Sequence, residues 1–126
     1  KASLEKLNTW QRTSGAANIY ESAETPSNVI IKASKGDIFR VIAAVGDYYK
    51  VESPGGLSGF IKSNLVTDKR LREEKVNTQI KLLDYPDAEA PAKAIIASNR
   101  QVDVMGVYKN FNLVKENNLQ GWVMQR

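Results

Sequence analysis

The chain repeats itself. Residues 35–51 (KGDIFRVIAAVGDYYKV) align without a gap on residues 98–114 (SNRQVDVMGVYKNFNLV), at a constant offset of 63. The pairs Phe39/Val102, Val41/Val104, Ile42/Met105, Tyr48/Phe111 and Val51/Val114 keep apolar or aromatic residues in matching places. Each copy then closes on one phrase, Gly59-Phe60-Ile61 in the first and Gly121-Trp122-Val123 in the second. Aromatic, β-branched and glycine positions kept in step mean two copies of one small β unit. Two modules of about 50 residues each therefore share the 126 residues, an organisation that argues against a single-site enzyme.

Composition narrows the chemistry. The chain contains neither Cys nor His, so disulfides, thiol nucleophiles, zinc–thiolate sites and imidazole bases are all excluded. Carboxylates remain, but Asp84, Asp87 and Glu89, like Glu21 and Glu24 in the matching loop, lack the spacing of a calcium loop. No glycine loop is followed by the Lys-Ser/Thr that cradles a phosphate, and no metal or other cofactor is expected. Catalytic residues are expected to be absent. The net charge is +4, with its densest basic stretch at Lys62, Lys69, Arg70, Arg72 and Lys75. Asp68, Glu73 and Glu74 interrupt that stretch, which favours a solvated surface over a nucleic-acid groove. No apolar run reaches the roughly 18 residues of a membrane span. The opening residue is Lys1 and no apolar leader core follows, which reads as a processed or excised product.

Four segments are expected. Residues 1–15 form an N-terminal helical arm, since Leu4, Leu7 and Trp10 or Gln11 fall near i, i+3 and i+7. The first module occupies residues 16–66. Its expected strands are residues 18–20, 29–31, 38–43, 48–53 and 59–61, with a polar loop over 21–28 that includes Pro26. Alternation places Phe39, Val41 and Ala43 on one face of the third strand, and Tyr49 and Val51 on the inner face of the next. Residues 67–79 (TDKRLREEKVNTQ), charged and free of Gly and Pro, form a stiff and possibly helical linker. The second module occupies residues 80–126, with Asn117-Asn118 in place of the Gly55-Gly56 hairpin. Short strands punctuated by Gly and Pro predict small antiparallel barrels, making the chain mainly β.

These phrases resemble the bacterial SH3-like family. Lys35-Gly36-Asp37, Gly46-Asp47-Tyr48-Tyr49-Lys50-Val51 and Gly59-Phe60-Ile61-Lys62 follow its pattern, and Phe111, Val114 and Gly121-Trp122-Val123 carry it in the second copy. The resemblance covers about 100 of the 126 residues and implies two tandem SH3-like barrels. The copies depart from it unequally: Asn112 stands where Tyr49 would fill the core, and Asn99-Arg100 replaces Gly36-Asp37.

The resemblance further implies a non-catalytic binding or targeting module of a bacterial envelope protein. Its partner would be a cell-wall peptide or a neighbouring protein domain, and its location extracytoplasmic. A structural spacer is the alternative, and a nucleic-acid-binding SH3-like protein a more remote one. A peptide groove needs aromatic faces with a carboxylate beside them. The first module offers Tyr20, Glu21, Tyr48, Pro54 and Phe60, and the second Asp84, Tyr85, Phe111 and Trp122. Phe60, Phe111 and Trp122 are equally suited to plugging the barrel cores.

Overall fold

The structure, a computed structural model, describes residues 1–24 and 27–125; Pro26 of the first polar loop and the terminal Arg126 lie outside it. The chain is mainly β and divides into two compact units, Lys1–Asp68 and Lys69–Arg126.

In the first unit the strands are β1 (Trp10–Thr13), β2 (Ala17–Tyr20), β3 (Val29–Ala33), β4 (Ile38–Val45), β5 (Tyr48–Glu52), β6 (Ser58–Lys62) and β7 (Val66–Thr67). They form one antiparallel sheet in the order β3-β2-β6-β5-β4-β1-β7. Residues from β2 through β7 meet in a single cluster, including Ile19, Ala33, Phe39, Val41, Tyr49, Val51, Ile61 and Val66. A single sheet buries such a cluster only by bending around it. The expected barrel is nevertheless not closed, because the strand order has two ends, at β3 and β7.

A bulge supplies part of the bend. Val41 pairs with Val51, but the next pair is Ala43 with Lys50, leaving Ile42 as the extra residue. The extra residue reverses the alternation that follows it. Ala44, opposite Tyr49, therefore packs on the core, where strict alternation had placed Ala43. A glycine supplies another part. A Cβ on Gly59 would lie 2.6 Å from Ile19 Cγ2 and 2.8 Å from the Tyr20 carbonyl oxygen, so only glycine lets β6 approach β2 this closely.

The N-terminal helical arm is corrected. Only Leu4–Lys6 is helical, as one 3-10 turn, and Leu4 is exposed. The segment that follows is β1, paired with β4 on one side and β7 on the other. Strand pairing satisfies its backbone groups while burying Gln11 and Thr13, a better return than a short, narrow-striped helix offers. Ala2 is also buried, and the hydroxyl of the fully buried Tyr49 donates to the Ser3 carbonyl at 2.7 Å.

The second unit repeats this plan with β8 (Arg72–Lys75), β9 (Ile80–Leu83), β10 (Ala92–Ile96), β11 (Gln101–Tyr108), β12 (Phe111–Glu116) and β13 (Leu119–Met124). Its order, β10-β9-β13-β12-β11-β8, matches that of the first sheet without a counterpart of β7. The bulge recurs at Met105, the residue aligned with Ile42. The expected stiff, possibly helical linker over residues 67–79 is instead occupied in its middle by β8, an edge strand paired with β11. All four residues of β8 are exposed, so no apolar alternation marks it; charge on an edge strand also discourages pairing with other chains.

The repeat thus reaches further back than the aligned phrase. Asn8 N–H donates to the Val41 carbonyl and Leu71 N–H to that of Val104, both at 2.7 Å and both in step with the offset. Gly36 N–H bonds the Thr13 carbonyl at 3.0 Å, and Asn99 N–H bonds that of Val76 at 2.6 Å. Gly36 and Asn99 both hold left-handed backbone, φ 95° and 69°, and Asn is the residue after Gly that tolerates it best.

Two substitutions test these contacts. Gly59→Ala should lower unfolding free energy by about 1–3 kcal/mol, because a strand carbonyl cannot move aside cheaply. Urea unfolding with a lowered midpoint and unchanged slope is the expected readout; a wild-type midpoint would refute the close approach. Tyr49→Phe removes only the bond to Ser3 and should cost about 1 kcal/mol in the same measurement.

Candidate functional site

Strand alternation gives the first sheet a second face. With Tyr49 and Val51 turned inward, Tyr48 and Lys50 point out from β5, as Phe60 does from between the buried Gly59 and Ile61. Tyr20 is opposite Phe60, and Phe60 is opposite Lys50. The rings of Tyr20 and Tyr48 meet edge to face with centroids 6.5 Å apart and planes at 79°. Tyr20, Tyr48, Lys50 and Phe60 are all half-buried, a state that fixes each ring while leaving part of it accessible. Three aromatics and one ammonium, held by three adjacent strands, form a patch able to accept apolar surface and a carbonyl or carboxylate.

Glu21 follows Tyr20 directly and is exposed. Its N–H donates to the Asn28 carbonyl at 2.8 Å, and its Oε2 accepts from Asn28 Nδ2 at 3.0 Å. These bonds clamp the base of the polar loop, with the Glu21 carboxylate held on Asn28. Asp47 stands next to Tyr48. The α-ammonium of Lys1, 2.8 Å away, bonds its carboxylate and holds it below the usual carboxylate range; both groups are exposed. Pro54 is not part of this constellation. It lies beyond the far end of β5, roughly 16 Å of strand from Tyr48, in a loop closed by Ser53 N–H on the Leu57 carbonyl.

The equivalent face of the second unit is different. Leu83, Phe111, Leu113 and Trp122 take the places of Tyr20, Tyr48, Lys50 and Phe60, with Leu83 opposite Trp122 and Leu113 opposite Trp122. All four are buried, with exposures between 2% and 6%. Phe111 and Trp122 are therefore not presented at the surface. Tyr85 is half-exposed at 50%, and Asp84 is exposed with the Lys93 ammonium 3.9 Å away. These two sit in a loop apart from their buried partners. Asp87 of the same loop accepts from the Glu89 N–H at 2.8 Å, and no group of three His, Cys, Asp or Glu that would hold a metal occurs among the described residues.

Sequence reasoning passed over Lys50, although the alternation that turns Tyr49 inward also turns Lys50 toward Phe60. Two cations of the basic stretch have acidic partners close by. Arg70 bridges Glu73 at 2.8 Å and Asp103 at 3.4 Å, and Arg72 pairs with Glu74 at 3.4 Å. No helix among the described residues is long and apolar enough to cross a membrane.

Comparison with curated protein sequences finds no match. Among solved structures the chain is similar to NlpC2 of Trichomonas vaginalis, with 11% identity and a TM-score of 0.58, covering 94% of this chain and 46% of that one. It is also similar to NlpC1 of the same organism, with 10% identity and a TM-score of 0.58, covering 98% of this chain and 49% of that one. The chain spans about half the length of each, and at such identities the likeness is one of fold. The family model described as bacterial SH3 domain matches residues 15–67, from just before β2 to the end of β7. The first unit therefore carries a bacterial SH3 domain.

Proposed function

We propose that this chain is a non-catalytic, cell-wall-directed binding module from a bacterial envelope protein, with its working site on the first unit. The observation that carries the reading is the half-buried cluster of Tyr20, Tyr48 and Phe60 with Lys50, on the unit that matches the bacterial SH3 family. Such a surface suits an extended peptide: the rings supply contact area at small entropic cost, and Lys50 and Glu21 supply opposite charges for its termini or side chains. The fold shared with two NlpC proteins supports the cell-wall setting, and that setting implies an extracytoplasmic location.

The second unit belongs to the same family in this reading, making the chain a tandem pair, but serves as support. Its version of the aromatic face is buried at Phe111, Leu113 and Trp122. A purely structural spacer explains that half of the molecule. It does not explain the accessible rings on the other half.

Retention of the chain on insoluble peptidoglycan tests the proposal. Tyr20→Ala and Tyr48→Ala should each weaken retention about tenfold or more, as expected for aromatic residues central to an interface. Tyr85→Ala, on an exposed loop of the second unit, should leave it unchanged. If sacculi fail to retain the unaltered chain, the cell-wall reading is wrong. Equal losses from Tyr85→Ala and Tyr48→Ala would instead move the site away from the first unit.

A further inference from the structure

The second unit carries an open pocket of about 470 Å³. Its apolar wall is Ile80, Val102, Val107, Val114 and Val123. Asn112 and Gln125 bring amides to it, while Arg72, Glu74 and Lys75 stand along β8 at its border. The offset of the repeat shows what occupies this place in the first unit. Val102 corresponds to Phe39 and Asn112 to Tyr49, and both of those rings are buried in the first core. Two aromatic rings have been exchanged for an isopropyl group and a short amide. β8, which lines the pocket at Arg72, Glu74 and Lys75, carries no strand on its outer edge among the described residues, whereas β1 carries β7 there.

Asn112 is an unusual residue for this position. It lines the pocket, half-buried, from a central strand, where β-branched or aromatic residues are favoured. Its Oδ1 accepts from Gln125 Nε2 at 2.9 Å. The amide pair retains further capacity: Asn112 Nδ2 as a donor and Gln125 Oε1 as an acceptor. A hydroxyl, which both donates and accepts, matches that pair.

We propose that this cavity is a binding pocket for one aromatic ring of the phenol class, seated where Tyr49 and Phe39 stand in the first unit. The size is sufficient, since an apolar cavity of roughly 150 Å³ already takes benzene. The valine and isoleucine wall supplies dispersion contacts to the ring faces, and the Asn112–Gln125 amides receive the hydroxyl. The ring arrives either as a free phenol or as a tyrosine side chain on a peptide; the chemistry is the same. This pocket is separate from the aromatic face of the first unit and stands whether or not that face binds cell wall.

NMR titration of the whole, isotope-labelled chain tests it, with p-cresol as the probe of a free phenol and N-acetyltyrosinamide as the probe of a peptide-borne one. Saturable shifts are expected at Ile80, Val102, Val107, Asn112 and Val123, with amides of the first unit unmoved. The p-cresol dissociation constant should fall in the range of roughly 0.1–3 mM, as suits a ligand of about eight non-hydrogen atoms. Tighter binding of one probe identifies the source of the ring, and either order supports the pocket. Toluene, without the hydroxyl, should bind severalfold more weakly; equal binding would overturn the assignment to phenols. The double variant Val102→Phe/Asn112→Tyr restores the rings of the first unit and should abolish the shifts, as should Val107→Phe, which fills the pocket from β11. Retained shifts in a folded filled variant would overturn the site, as would no saturable shift with either probe on the unaltered chain.

Discussion

A sheet of short strands acquires a core of its own only by bending until one face turns in on itself. In the first unit, two small features permit that bend. The bulge at Ile42 adds one residue to β4, so that Ala44 rather than Ala43 enters the core beside Tyr49. Gly59 lets β6 press against β2 at a distance no side chain would allow. The second unit uses the same devices at aligned positions, Met105 and Gly121, where a Cβ would lie 2.6 Å from Leu82 Cγ and 2.8 Å from the Leu83 carbonyl oxygen. With the backbone path held by these contacts, the side chains on both faces were free to diverge.

Their divergence distinguishes the two units. On the outer face the first unit keeps tyrosines and a lysine half-exposed, and the second replaces them with buried Leu, Phe and Trp. On the inner face the difference is reversed. The first unit fills its core with Phe39 and Tyr49, and the second leaves a cavity beside Val102 and Asn112. Neither change disturbs the sheet, because hydrogen bonding between strands depends on the backbone and not on which ring lies above it.

Much of the fold was legible from spacing. Alternation in residues 48–51 turned Tyr49 and Val51 inward and left Tyr48 outside, and the Gly-aromatic-β-branched phrase marked the closing strand of each copy. The Lys35-Gly36-Asp37 signal proved to be a turn whose replacement, Asn99, holds the same left-handed backbone. The strands β1 and β8 were not legible. Neither shows apolar alternation: the edge strand β8 exposes every residue, and β1, between β4 and β7, buries polar Gln11 and Thr13. Patterns built on apolar periodicity carry no signal for a strand held chiefly by its backbone.

The candidate site was partly legible for the same reason. Tyr20, Tyr48 and Phe60 lie in strands whose parity can be counted, so their common face follows once the strands pair. Pro54 sits in a loop, where parity does not apply, and the strand length between it and Tyr48 carried it away. Sequence alone determined the duplication, the β character and the chemistry excluded by the absence of Cys and His, because each depends only on composition or local period. Tertiary structure alone decided that Phe111 and Trp122 are buried while Tyr48 and Phe60 remain half-exposed. It also decided that Asn112 lines a pocket. Exposure is a property of what packs around a residue, and a pattern shared by two copies does not specify it.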